Sequence, residues 1–187
     1  MLSRVFSLAL PLLLAAGVAD AGFASRLQQG NWSGGVWVDD KTGEFRNCGL
    51  GLKFAGGTEI TLVFPANLNV ALIVSDPRIA LTPQQRFQTT VKVDEAAERT
   101  GSALALTANM AQIVGATLGA DYDALRGAKR IGVAVPGLAT TLDVSGIDKA
   151  LPKLLECVIA ERAKMKPPAA GLSPVDEAIT TEAGLIG

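Results

Sequence analysis

Two cysteines, Cys48 and Cys157, and no histidine at all bound the chemistry open to this chain of 187 residues. Without histidine there is no Ser-His-Asp triad, no Cys-His pair, no His-based zinc site and no ordinary neutral-pH proton shuttle. What remains for catalysis is a pair of carboxylates or a lysine base. The close acidic pairs are Asp39-Asp40, Asp94-Glu95 and Asp121-x-Asp123. A glycosidase needs two carboxylates facing each other across a cleft, roughly 5–10 Å apart. Neighbours in a turn do not provide that, and turn chemistry accounts for all three pairs. DDKTG at 39–43 lacks the ligand spacing of a calcium loop, so no metal site is expected. GLGLKFAGG (49–57) has no Walker lysine and no strand-to-helix context, and VGATLGADYD (114–123) fails the dinucleotide pattern, so no cofactor is expected either. No catalytic residue is assigned.

Binding chemistry is concentrated in GNWSGGVWVDDKTGEFRNC (30–48), which holds both tryptophans. Trp32, Trp37 and Phe45 are the candidate binding residues. If Val38 pairs with Glu44 across the DDKTG loop, Trp37 falls opposite Phe45 and Gly34 opposite Cys48. The aromatic pair then lies on the face away from Cys48, Leu50 and Leu52. Exposed, it suits a flat ligand, a sugar or a partner surface. Alternatively, a bulge near Arg46 and Asn47 turns it inward.

The cysteines are read through the compartment. Residues 1–21 have the form of a secretory signal: Arg4, an almost unbroken apolar run at 5–16, and Ala19-Asp20-Ala21 as a small-x-small cleavage site. The apolar run is too short to cross a bilayer core of roughly 30 Å. Two cysteines in an exported protein predict one disulfide, Cys48–Cys157. A net charge of −1 without a basic cluster argues against nucleic acid and against an electrostatic membrane patch. After signal removal the chain is expected to be soluble, in the periplasm or secreted.

The elements that must position these residues are mostly strands. Val36-Trp37-Val38 starts a β-meander, and Cys48, Leu50, Leu52 and Phe54 alternate with Gly49, Gly51 and Lys53. A three-residue Ala55-Gly56-Gly57 loop pairs Leu52 with Ile60, Leu50 with Leu62 and Lys53 with Glu59; a two-residue turn would mismatch the faces. Further strands are read at 70–74, 86–94, around Leu104 and Leu106, and at 131–135. The stretch 110–118 fits either a strand or a weak helix, and 121–126 a single helical turn stopped by Gly127. Ser145 with Asp148 reads as a capping box, and Ile147, Ala150, Leu151, Leu154 and Val158 as an apolar helical stripe with Cys157 beside it. Pro152 either kinks that helix or marks its start. Residues 164–187 read as a flexible, proline-containing tail, with at most a short helix from Ser173-Pro174.

The whole is expected to be one mainly β (α+β) domain, residues 22–163: an antiparallel, sandwich-like meander with a C-terminal helix packed on it. W-x4-W (Trp32, Trp37), TGEFRNC (42–48), SDPRIALTP (75–83) and LDVSGIDKALPKLLECV (142–158) together resemble a family of small exported alphaproteobacterial proteins without assigned function. The last segment, a strand running through Ser-Gly into an Ala-Leu-x-x-Leu helix, is also similar to the invasion-associated locus B family of envelope proteins. The resemblance implies a periplasmic, β-rich protein of envelope or host-association type and supplies no catalytic residues. The functional expectation is a non-enzymatic protein that binds a partner protein or envelope component. The alternatives are a carboxylate-based hydrolase and an accessory module tethered by its tail.

Overall fold

The computed structural model describes residues 23–114 and 122–165. Its strands are β1 (Phe23–Gln29), β2 (Trp32–Val38), β3 (Phe45–Lys53), β4 (Glu59–Pro65), β5 (Ala71–Ser75), β6 (Arg86–Val93), β7 (Arg99–Thr107), β8 (Met110–Val114), β9 (Arg130–Val135) and β10 (Leu138–Asp143). Two helices follow the eighth and tenth strands, α1 (Tyr122–Gly127) and α2 (Ile147–Lys164). The strands form one antiparallel sheet in the order β1-β2-β3-β4-β5-β8-β7-β6-β9-β10. This is the expected mainly β fold with a C-terminal helix on the sheet.

Alternation decides which face is inside. Leu50, Leu62, Leu72 and Ile113 stand side by side across β3, β4, β5 and β8, and all are buried. Val91, Val133 and Ile131 continue the same core on the other half of the sheet. The β3–β4 hairpin has the register that the alternation predicts, with Leu52 opposite Ile60 and Lys53 opposite Glu59. Gly56, at φ 86°, takes the left-handed turn conformation that a side chain would resist. The ambiguous stretch at 110–118 is strand through Val114; its remainder lies outside the described residues.

Helix α2 buries Ile147, Ala150, Leu151, Leu154, Cys157 and Val158, which recur at helical spacing. Each large apolar side chain so buried contributes about 1.5–3 kcal/mol. Pro152 lies inside one continuous helix rather than at its start. Its missing donor costs a single bond, to the carbonyl of exposed Asp148, which water can satisfy. The expected Ser145–Asp148 capping box is not formed. Gly146, in the left-handed region, is the N-cap and has no side-chain cap, while the Ser145 N–H donates to Asp143 Oδ1 at 2.8 Å. Cys48 and Cys157 are joined, tying the middle of β3 to the third turn of α2. The expected signal segment at 1–21 and residues 166–187 of the expected tail lie outside the described residues. Lys164, the first residue of the expected tail, is instead the last residue of the helix.

Between β5 and β6 the chain crosses the ends of β8 and β7, and SDPRIALTP forms most of that crossover. Its backbone is held by Asp76 N–H to Asn109 O, Leu81 N–H to Ala108 O and Gln84 N–H to Ala105 O, at 2.8–3.1 Å. Asp76 is fully buried and takes four hydrogen bonds: from the Thr58 hydroxyl (2.5 Å), the Arg78 N–H (2.7 Å), and Arg78 Nε (2.9 Å) and Nη2 (2.7 Å). On the far side, the β9–β10 turn closes on the Arg78 carbonyl so tightly that Gly137 has no room for a Cβ. Asp76 thus clamps the segment that joins the two halves of the sheet.

The Arg78 guanidinium and the Thr58 hydroxyl hold the Asp76 carboxyl well below the usual carboxylate range, against a burial effect that opposes them. A carboxylate depressed on folding stabilises at pH values above its unfolded pKa, near 3.9, and loses that contribution as pH falls below it. Asp76→Asn is therefore expected to cost about 2–3 kcal/mol at pH 7, within the range for hydrogen bonds to charged groups. Urea unfolding at pH 7 and pH 3 checks this: the gap between wild type and variant should shrink at pH 3.

Candidate functional site

The three candidate aromatic residues occupy three different environments. Trp32 shares its face of β2 with Val36, towards α2, and is 1% exposed. Its indole N–H donates to the Ser145 carbonyl at 3.4 Å, seating the ring against the start of the helix. It offers no face to an external ligand. At the β2–β3 hairpin the register shifts: Trp37 lies opposite Asn47 and Val38 opposite Phe45, leaving Arg46 as the extra residue of a bulge. The simple pairing of Trp37 with Phe45 is thereby replaced. Phe45 moves to the inner face, where it packs with Val38 against the core. Trp37 stays on the outer face, half-buried, and its ring lies across Gly49, in the space a Cβ there would need. The rings therefore make no common patch.

Among these acidic pairs, Asp39, Asp94 and Glu95 are structural ties. Asp39 accepts from the N–H groups of Lys41 and Thr42, both at 2.9 Å, and from the Arg46 guanidinium. That guanidinium, with the two amides, holds its carboxyl well below the usual range. Asp94 Oδ1 accepts the N–H groups of Lys129 (2.9 Å) and Arg130 (2.7 Å), fastening the end of β6 to the start of β9. Glu95 bridges Arg130 (2.7 Å) and Lys92 (3.7 Å). Asp121 lies outside the described residues.

A concave surface lies at the other end of the sheet. Along β9, Ile131, Val133 and Val135 point inward, which leaves Gly132 and Ala134 on the outer face. Their partners there are Thr90 and Lys92 on β6, and Ala139 and Thr141 on β10. Because Gly132, Ala134 and Ala139 are small, the outer face sinks into a trough of about 400 Å³ over β6, β9 and β10. A smaller recess beside it is rimmed by Lys92, Asp94, Glu95 and Arg130. A Cβ at Gly132 would meet only ordinary van der Waals neighbours, Lys92 Cβ at 3.5 Å and Thr141 Oγ1 at 3.6 Å, so that position accepts a side chain. The sequence signal for the trough is RIGVAV (130–135) beside LATTLD (138–143): apolar residues on one alternate set and small ones on the other.

Chemically, the trough offers shape, threonine hydroxyls and a mixed-charge rim. Among the described residues no group of three or more Cys, Asp or Glu is placed to hold a metal ion. No helix of the described residues is long and apolar enough to cross a membrane. A buried disulfide of this kind persists in oxidising compartments.

A scan against protein-family models matches none, and a search of curated proteins finds no match. Among solved structures, the chain is similar to the crystal structure of invasion associated protein b from Bartonella henselae, with a TM-score of 0.50 and 18% identity over 71% of this chain and 96% of that one. The likeness is one of fold. It agrees with the architecture implied by the strand-to-helix ending at 142–158.

Proposed function

We propose that this chain is a non-enzymatic binding protein of the periplasm or extracellular space, and that a partner protein or envelope component seats in the trough over β6, β9 and β10. The observation that carries this reading is the trough itself: about 400 Å³ of concave surface on a sheet face that the core does not use. The one acidic residue lining the trough is Glu98, and Asp94 and Glu95, in the recess beside it, are committed to joining β6 to β9. An exported role is in keeping with the disulfide, with the leader-like 1–21, and with the fold shared with an invasion associated protein.

The test compares two variants of the exported chain as bait for its native partner. Gly132→Leu fills the trough without straining the backbone, and recovery should fall at least tenfold. Trp37→Ala removes the outer aromatic ring, and recovery should stay within twofold. Recovery by Gly132→Leu equal to wild type overturns the reading.

A further inference from the structure

Strand β10 ends the sheet: β9 lies on one side, and no strand of the described residues pairs with the other. The register says which backbone groups face outward. Leu138 pairs with Val135 across the two-residue Pro136-Gly137 turn, and Val144 N–H donates to Lys129 O at 2.8 Å. The even-numbered residues 138–144 therefore bond to β9, and Ala139, Thr141 and Asp143 direct their N–H and C=O groups away from the sheet. All three are exposed. Among the described residues, β10 contains no lysine, proline or bulge and a single charged residue, Asp143, at its end, whereas the opposite edge, β1, is bulged between Phe23 and Ser25 and carries Arg26.

We propose that β10 takes an extended segment of a partner protein as an added strand, whose bulky apolar side chains at alternate positions lean into the trough. The mode rests on the reading of the trough as the binding surface and names its ligand class. Backbone bonds to residues 139, 141 and 143 supply affinity, and the hollow over Gly132 and Ala134 selects the side chains. A second copy of this chain fits the edge poorly. Paired edge to edge, it would present only Ala139 and Thr141 to the trough, leaving it unfilled. A six-residue contact is also small against the roughly 1,200–2,000 Å² that stable interfaces bury.

The probe is a random dodecapeptide library displayed on phage and selected on the full chain with its disulfide intact. One selected peptide, synthesised with a fluorophore, is titrated by anisotropy against wild type, Thr141→Pro and Gly132→Leu. Proline at 141 removes an outward N–H and no bond to β9, so the fold is kept. The expected results are alternating bulky apolar residues in the selected peptides and at least tenfold weaker binding to each variant. In wild type, amide exchange at Ala139, Thr141 and Asp143 should slow at least tenfold on peptide addition, a readout that needs no variant. If Gly132→Leu weakens binding while Thr141→Pro does not and the amides stay unprotected, strand addition is overturned and the trough survives. If neither variant weakens binding, both are overturned. Failure to select any peptide, or a wild-type dimer that Thr141→Pro dissociates in sedimentation, also overturns the proposal.

Discussion

Replacing both cysteines, as C48S/C157S, is expected to lower the unfolding free energy by about 4–5 kcal/mol, the chain-entropy value for a loop of this length. The bond spans 109 positions, so it removes a large share of the unfolded chain's freedom. It also joins the only long helix among the described residues to the middle of β3. Cys48 is fully buried and Cys157 is 8% exposed, so the bond lies largely beneath the helix. Urea unfolding of the oxidised wild type and the double variant measures the difference. A loss below about 1 kcal/mol would mean that α2 docks without help from the staple.

Trp32→Ala should cost about 3–5 kcal/mol, the usual range for removing a large aromatic side chain from a packed interior. The ring fills the space between β2 and the start of α2, where Gly146 and the Ser145 carbonyl leave nothing else to occupy it. Trp32→Phe keeps most of the volume and loses the indole N–H, so it should recover more than half of the loss. Trp37→Ala, on the half-buried outer ring, should cost clearly less than Trp32→Ala. Equal losses at the two tryptophans, measured by thermal and urea unfolding, would contradict the placement of Trp32 in the core.

Much of the fold is legible in the sequence because period-two alternation and glycine turns are local signals. Cys48, Leu50 and Leu52 against Gly49, Gly51 and Lys53 carry the β3–β4 register to the residue. The stripe from Ile147 to Val158 marks the buried face of α2. Other features are not local. Strand β1, FASRLQQ, has no clean alternation and is a strand because β2 pairs with it. The bulge that separates Phe45 from Trp37 depends on which side chain the core accepts, and the motif itself allows both outcomes. The Ser145–Asp148 box has the pattern of a cap, yet the chain leaves β10 through a left-handed Gly146, and Ser145 is already held by Asp143. The trough is hard to see in sequence because it consists of missing side chains. Gly132, Ala134 and Ala139 carry no chemistry and gain meaning only when β9 and β10 set them side by side.

The chain's distinctive residues thus divide into those that build, Trp32, Cys48, Asp76 and Cys157, and a plain patch proposed to bind. The measurement that tests this division most directly is partner recovery by Gly132→Leu relative to recovery by Trp37→Ala, with both variants first shown to unfold like wild type. The expected ratio is about 0.1 or lower, a tenfold loss being about 1.4 kcal/mol of binding energy. A ratio of one or more, with binding lost at Trp37 instead, would contradict it.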